Sequence, residues 1–226
     1  MRSPQIRLLA AVWGPLLGTT IVVFLSAGRI DYWQGWVFIF ANLAFHLLNV
    51  IIIWRKSDLT EERLSPGDGM KTWDKHILQM FRVLFYAAIV TAGLDAGRFK
   101  LTPKFPIYLY LLSYIIYVLG QLMHIWAKSA NIFFSTVVRI QGNRGHRVCT
   151  GGPYRFIRHP GYLGTIVYTI ATPLMLGSLW ALIPTILFTA CVIKRTYLED
   201  IVLQKELLGY VDFCKLVRHR LVPGIW

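Results

Sequence analysis

Long apolar stretches alternate with polar ones along this chain, and the length of the stretches decides the solvent they suit. Six runs stand out: Leu8 to Ala27, Trp33 to Trp54, Val83 to Ala96, Pro106 to Trp126, Tyr162 to Leu176 and Leu179 to Ile193. A helix of about 20 apolar residues crosses the hydrocarbon core of a bilayer, so runs near this length predict membrane-spanning helices. The last two are short, carry Pro173 and Pro184, and are joined by Leu176-Gly177-Ser178, a pattern that predicts a tight helical hairpin stopping short of the far side. The expected fold is therefore all-α: a polytopic integral membrane protein of about six transmembrane helices, with five as the alternative. The first run follows Arg2 and Arg7 as a signal peptide would, but its length and the absence of a soluble domain behind it predict a retained span.

Composition agrees with a lipid solvent, since 55% hydrophobic against 15% charged residues exceeds what a soluble surface tolerates. A net charge of +13 would suggest nucleic acid in a soluble protein. Here the basic residues lie between apolar runs, where anionic headgroups and the positive-inside rule account for them, and no nucleic-acid partner is expected. Six spans put 19 lysines and arginines on one side, among them Arg55, Lys71, Arg139, Arg158, Arg195 and Arg220. Only Arg29, Arg98, Lys100 and Lys104 fall on the other, which predicts cytoplasmic termini. Cys149, Cys191 and Cys214 have no C-x-x-C spacing, so neither a disulfide framework nor a metal site is expected.

Two connections are long. The segment from Arg55 to His76 reads as a solvated interfacial loop. The segment from Lys128 to Pro160 brings Asn131, Phe133, Phe134, Gln141, His146, Tyr154 and His159 together with arginines and glycines, a mixture that builds a site at a membrane surface. The chain thus divides into N-terminal spans, residues 1–127, and a C-terminal part, residues 128–226, that forms a cytoplasmic-side pocket within one continuous membrane domain.

Within that part, Gly151-Gly152-Pro153-Tyr154-Arg155-Phe156-Ile157-Arg158-His159-Pro160-Gly161-Tyr162 sets Arg158 and His159 at a helix entrance, because proline fits the first helical turn. Free N–H groups, the positive dipole end and a guanidinium make such an entrance attractive to a carboxylate or phosphate. Anchoring of the helix to headgroups is the plainer reading. Beyond the last apolar run, Glu199 and Asp200 follow Arg195. One acid can pair locally with Lys194 or Arg195. Alternatively, Glu199 holds the ammonium of a zwitterion whose carboxylate sits at the Arg158–His159 entrance.

The segment His146 to Gly164, with Arg195-x3-Glu199-Asp200 and the ending Arg220 to Trp226, resembles the isoprenylcysteine carboxyl methyltransferase family and related membrane phospholipid methyltransferases. The likeness covers roughly the C-terminal half. It implies a multi-helix membrane fold, S-adenosylmethionine as cofactor, and a lipid or other lipophilic substrate. It also implies that His146 and Val148 line the adenine and ribose, with Gly152, Tyr154, Arg158, His159, Pro160 and Tyr162 around the methionine portion. Glu199 would hold the ammonium, Asp200 would stand at the second acidic position where the family has Glu, and Arg195 would be free to orient an anionic acceptor. Phe213 and His219 replace tyrosines of the family pattern. A carboxylate acceptor needs no base, whereas a thiol or amine would call on His159 or His146. Two other readings fit less of the motif: a membrane reductase of the sterol-reductase type using a nicotinamide dinucleotide, and a non-enzymatic membrane scaffold.

Overall fold

In lipid a backbone must satisfy its own hydrogen bonds, and the apolar runs accordingly become helices. The computed structural model describes residues 4–54 and 69–226. Its helices are α1 (Pro4–Ala27), α2 (Trp33–Trp54), α3 (Thr72–Ala92), α4 (Ile107–Ala130), α5 (Pro160–Met175), α6 (Leu182–Glu206) and α7 (Tyr210–Leu216), and no strand occurs among the described residues. Trp33–Ile52, Thr72–Phe99 and Ile107–Ala130 are each long and apolar enough to cross a bilayer, and Trp13–Ala27 is a shorter apolar helix. Residues 55–68 of the expected interfacial loop lie outside the described residues, as does Arg2.

The helices are patterned for lipid. On α4, Leu111, Ile115, Leu119, Leu122 and Trp126 recur at helical spacing and are exposed, while Ser113, Tyr117 and Gly120 point inward and are buried. Apolar side chains outside and small or polar ones inside are what helix association in a membrane requires.

α4 and α5 make the most extensive contact of the bundle. Glycine makes it possible: a Cβ at Gly164 would lie 2.6 Å from the backbone nitrogen of His124 and 2.7 Å from the carbonyl of Gly120. A Cβ at Gly120 would meet the Tyr168 nitrogen at 2.5 Å. The two backbones touch, so neither helix can shift without the other.

Two boundaries differ from the expectations, each where polar residues extend a helix beyond its apolar part. α3 begins at Thr72 rather than Val83, and its first turn buries Asp74 completely. α6 runs past Ile193 to Glu206, so Arg195, Glu199 and Asp200 ride on one rigid helix. The α5–α6 hairpin does not stop short. Its tip reaches the far end of the bundle, where α3 widens into a π-helical turn (Gly93–Phe99) before α4 begins.

The tip is fastened by a buried carboxylate. Asp95 accepts hydrogen bonds from the Thr102 backbone at 2.8 Å, the Thr102 hydroxyl at 2.6 Å and the Ser178 hydroxyl, and the Leu176 carbonyl accepts one from the Tyr32 hydroxyl. Arg98 donates to the Leu25 carbonyl at 2.8 Å. Gly177, in the left-handed region at φ +77°, turns the chain at this point.

A Gly164→Val substitution should destabilise the protein by at least about 2 kcal/mol, because the added atoms meet backbone that cannot rotate away. Gly14→Ala in α1, whose added Cβ meets nothing within 4 Å, should be neutral. Thermal unfolding of the detergent-solubilised variants followed by tryptophan fluorescence checks both.

Candidate active site

Where α4 and α6 end and α5 begins, the 131–159 segment and α7 close around a cavity of about 310 Å³. Of the residues expected at a site, His146, Val148, Tyr154, Arg158, His159, Tyr162, Arg195 and Glu199 line it. Gly152, Pro160 and Asp200 do not. Gly152 backs onto Ala130 and Trp126 of α4, and Pro160 occupies the first turn of α5.

Asp200 lies behind the cavity wall with its side chain fully buried and is the most heavily engaged group in the protein. One carboxylate oxygen stands 3.0 Å from Arg158 Nε and 3.2 Å from His159 Nε2, and accepts a 3.0 Å bond from the Tyr210 hydroxyl. The other accepts from Arg158 Nη2 at 3.2 Å, Arg220 Nε at 2.8 Å and Gln204 at 2.7 Å. The helix entrance expected to be open to an outside anion is thus occupied from within. The Arg158 and His159 N–H groups also donate, at 2.9 Å each, to the carbonyls of His219 and Arg220 in the tail. Arg158 Nη1 is 3.3 Å from the Val217 carbonyl. A single internal acid therefore faces two guanidinium groups and an imidazole, and the mouth of α5 keeps a surplus of positive charge.

Burial alone would raise the Asp200 carboxyl pKa, but the hydrogen bond and charge of His159, with Arg158 and Arg220, hold it well below the usual carboxylate range. Burial and the neighbouring Asp200 push the Tyr210 hydroxyl up, so it stays a proton donor.

Glu199, one residue earlier on α6, faces the cavity. It accepts a hydrogen bond from the Tyr162 hydroxyl and makes no ion pair among the described residues, with Arg195 acting on it only at longer range. The Tyr162 ring stacks on His159 at 5.8 Å between centroids. Two acids adjacent in sequence thus have opposite fates, because consecutive helical positions point about 100° apart.

Arg195 is not free, contrary to expectation. Its Nε and Nη2 hold Asp74 of α3 at 2.7 and 3.0 Å, and Nη2 also donates to the Thr136 carbonyl at 2.9 Å. Its guanidinium lies 5.4 Å from the Tyr162 ring centre and 5.8 Å from that of Phe81. Asp74 additionally accepts from the Val138 backbone at 2.7 Å, which ties the long loop to both helices. On the opposite wall, His146 accepts from the Gln141 backbone at 3.2 Å and its ring lies 4.7 Å from Phe133. Tyr154 is buried beside Asn131.

Several residues at the site were not singled out by motif. His124 of α4 lines the cavity with Nδ1 at 3.2 Å from both the Gly161 carbonyl and the Thr165 hydroxyl. A histidine inside an apolar span is the signal that would have marked it. Asp74 and Tyr210 carry no local signal, since their partners are remote in sequence. Gln121 of α4 donates to Tyr117 at 2.9 Å one helical turn away.

Residues 112–205 match the model of the isoprenylcysteine carboxyl methyltransferase (ICMT) family. The chain is 27% identical over 196 residues to a protein-S-isoprenylcysteine O-methyltransferase of Schizosaccharomyces pombe, spanning 82% of this chain and 78% of that protein. It is 33% identical over 63 residues to probable protein-S-isoprenylcysteine O-methyltransferases of Oryza sativa subsp. indica and subsp. japonica, spanning 27% of this chain and 33% of each. These likenesses fall on the motif-bearing part of the chain, and they identify it as an integral membrane methyltransferase similar to this family.

Asp200→Asn should destabilise the fold by about 3–5 kcal/mol at neutral pH, since it leaves buried cations without their counter-charge. The sign with pH follows from the lowered pKa. The carboxylate's contribution is complete above its unfolded pKa of about 4 and is lost as pH falls below it. Unfolding midpoints of wild type and variant should therefore converge as pH drops below about 4.

Proposed function

We propose that the protein transfers a methyl group from S-adenosylmethionine to the carboxylate of a lipophilic acceptor of the S-isoprenylcysteine type, at the cytoplasmic face of its membrane. The observation that carries the reading is the contrast between the two acids of α6. Asp200 is consumed by internal cations, while Glu199 faces the cavity in no direct ion pair among the described residues.

The residues fit the donor. Glu199 is a carboxylate for its ammonium, and the surplus charge around Asp200 suits its carboxylate by field rather than through an unengaged guanidinium. The Phe133 and His146 rings, with Tyr154, offer flat apolar surface for a purine. When bound, the donor supplies an electrophilic methyl group on a positively charged sulfur.

The remaining work falls to the walls. An acceptor carboxylate is ionised at neutral pH, so the site needs to position it and exclude water rather than remove a proton. Arg195, held by Asp74 between two aromatic rings, orients that carboxylate. Because Asp74 already shares its charge, Arg195 does so without quenching the nucleophilic oxygen. His159 directs Nε2 to Asp200 and so acts as a positioning residue that supports the Tyr162 ring. The inner cavity wall, with Phe81, Phe134 and Phe188, suits an apolar acceptor chain. The acceptor class is supported by the printed names of the relatives. Cytoplasmic termini are supported by the distribution of lysine and arginine.

Purified protein should bind S-adenosylhomocysteine in calorimetry. Glu199→Gln should weaken that binding about 10- to 100-fold, the worth of one charge-assisted hydrogen bond. An unchanged affinity in a folded variant would remove Glu199 from the donor site.

A further inference from the structure

The cavity does not end at a wall of backbone. Its inner limit is formed by the side chains of Tyr168 on α5 and Phe188 on α6, and both also line a second void of about 20 Å³ on their far side. Tyr168 lies eight residues beyond Pro160, so the limit sits about 12 Å deeper into the bundle than the mouth of α5. Past it, Thr169, Thr172 and Thr185 face Leu84 and Ala88 of α3 across the second void.

Two features mark this boundary as a partition rather than sealed core. Phe188 stacks on Phe81 at 4.7 Å, and Tyr168 is packed edge-on against Tyr117 at 6.0 Å and His124 at 6.2 Å, with a side-chain hydrogen bond to Thr165. Rings held this way turn about their own side-chain bonds without moving a helix. On the far side the Thr185 hydroxyl, fully buried, has no hydrogen-bond partner. A threonine inside a helix ordinarily bonds back one turn, as Thr172 does to the Tyr168 carbonyl at 2.9 Å. An orphan hydroxyl beside a small void is a packing defect of the kind that native cores hold few of.

We propose that Tyr168 and Phe188 set the length of apolar chain that the acceptor can place in the cavity, and that the void behind them is its extension, joined to it when either ring turns aside. The inference rests on the acceptor reading above and deepens it, since it assigns the determinants of chain length to two residues. Chains that end at the rings bind without disturbing them, and longer chains must displace them.

The experiment uses N-acetylcysteine thioethers of graded terpenyl length, geranyl, farnesyl and geranylgeranyl, with the purified full chain. Methylation is read as kcat/KM and binding by calorimetry in the presence of S-adenosylhomocysteine. Phe188→Ala should raise the ratio of geranylgeranyl to geranyl, in kcat/KM or in affinity, about tenfold, within the range one hydrophobic pocket commands. Adding Thr169→Phe, which fills the second void, should cancel that gain. Phe188→Leu, a milder change, should move the ratio in the same direction if the alanine variant fails to fold. An unchanged ratio in variants that bind S-adenosylhomocysteine like wild type overturns the partition, as does failure of every thioether to bind. Binding without methylation by wild type sinks the acceptor reading instead, and the affinity ratio then decides the partition alone.

Discussion

Asp200 meets Arg158, His159, Arg220 and Tyr210 where four stretches of chain converge: the start of α5, the end of α6, the start of α7 and the tail. An unpaired buried carboxylate would be costly, and so would unpaired buried guanidinium groups, so neither side of the cluster folds without the other. The tail is held in place by it, with the carbonyls of His219 and Arg220 receiving the backbone N–H groups of Arg158 and His159. The same cluster holds Arg158, His159 and Tyr210 in the cavity wall. It also leaves Glu199, the neighbouring acid of α6, facing the cavity.

The same device recurs at three heights in the bundle. Asp95 fastens the hairpin tip to the α3–α4 connection, Asp74 fastens α3 to α6 and to the long loop, and Asp200 fastens the tail. Each is a short, fully desolvated aspartate satisfied by several donors, the arrangement that makes a buried charge tolerable. Between these pins the helices meet through glycine and apolar contact, which in lipid gives close packing but little register of its own. The aspartates supply the register.

The helices were legible because span length and lysine-arginine asymmetry are one-dimensional properties. The motif residues were legible too, since Tyr154, Arg158, His159, Tyr162 and Glu199 come together around one cavity. Pairings were not. Asp74 and Arg195 are 121 residues apart, and Asp95 and Ser178 are 83 apart, so no local pattern links them. The polar starts and ends of α3 and α6 were missed because hydropathy follows the lipid boundary whereas helices follow backbone hydrogen bonding. The helix mouth was read as an open anion site because sequence identifies a favourable potential without showing which anion fills it. Here it is the residue next to Glu199.

The division of labour between the two acids is tested most directly by an experimental structure of the protein with S-adenosylhomocysteine bound. The account predicts the ligand's ammonium within hydrogen-bond distance of the Glu199 carboxylate, with Asp200 still enclosed by Arg158, His159 and Arg220 and touching no ligand atom. Direct contact between Asp200 and the ligand, with Glu199 left pointing elsewhere, would contradict it.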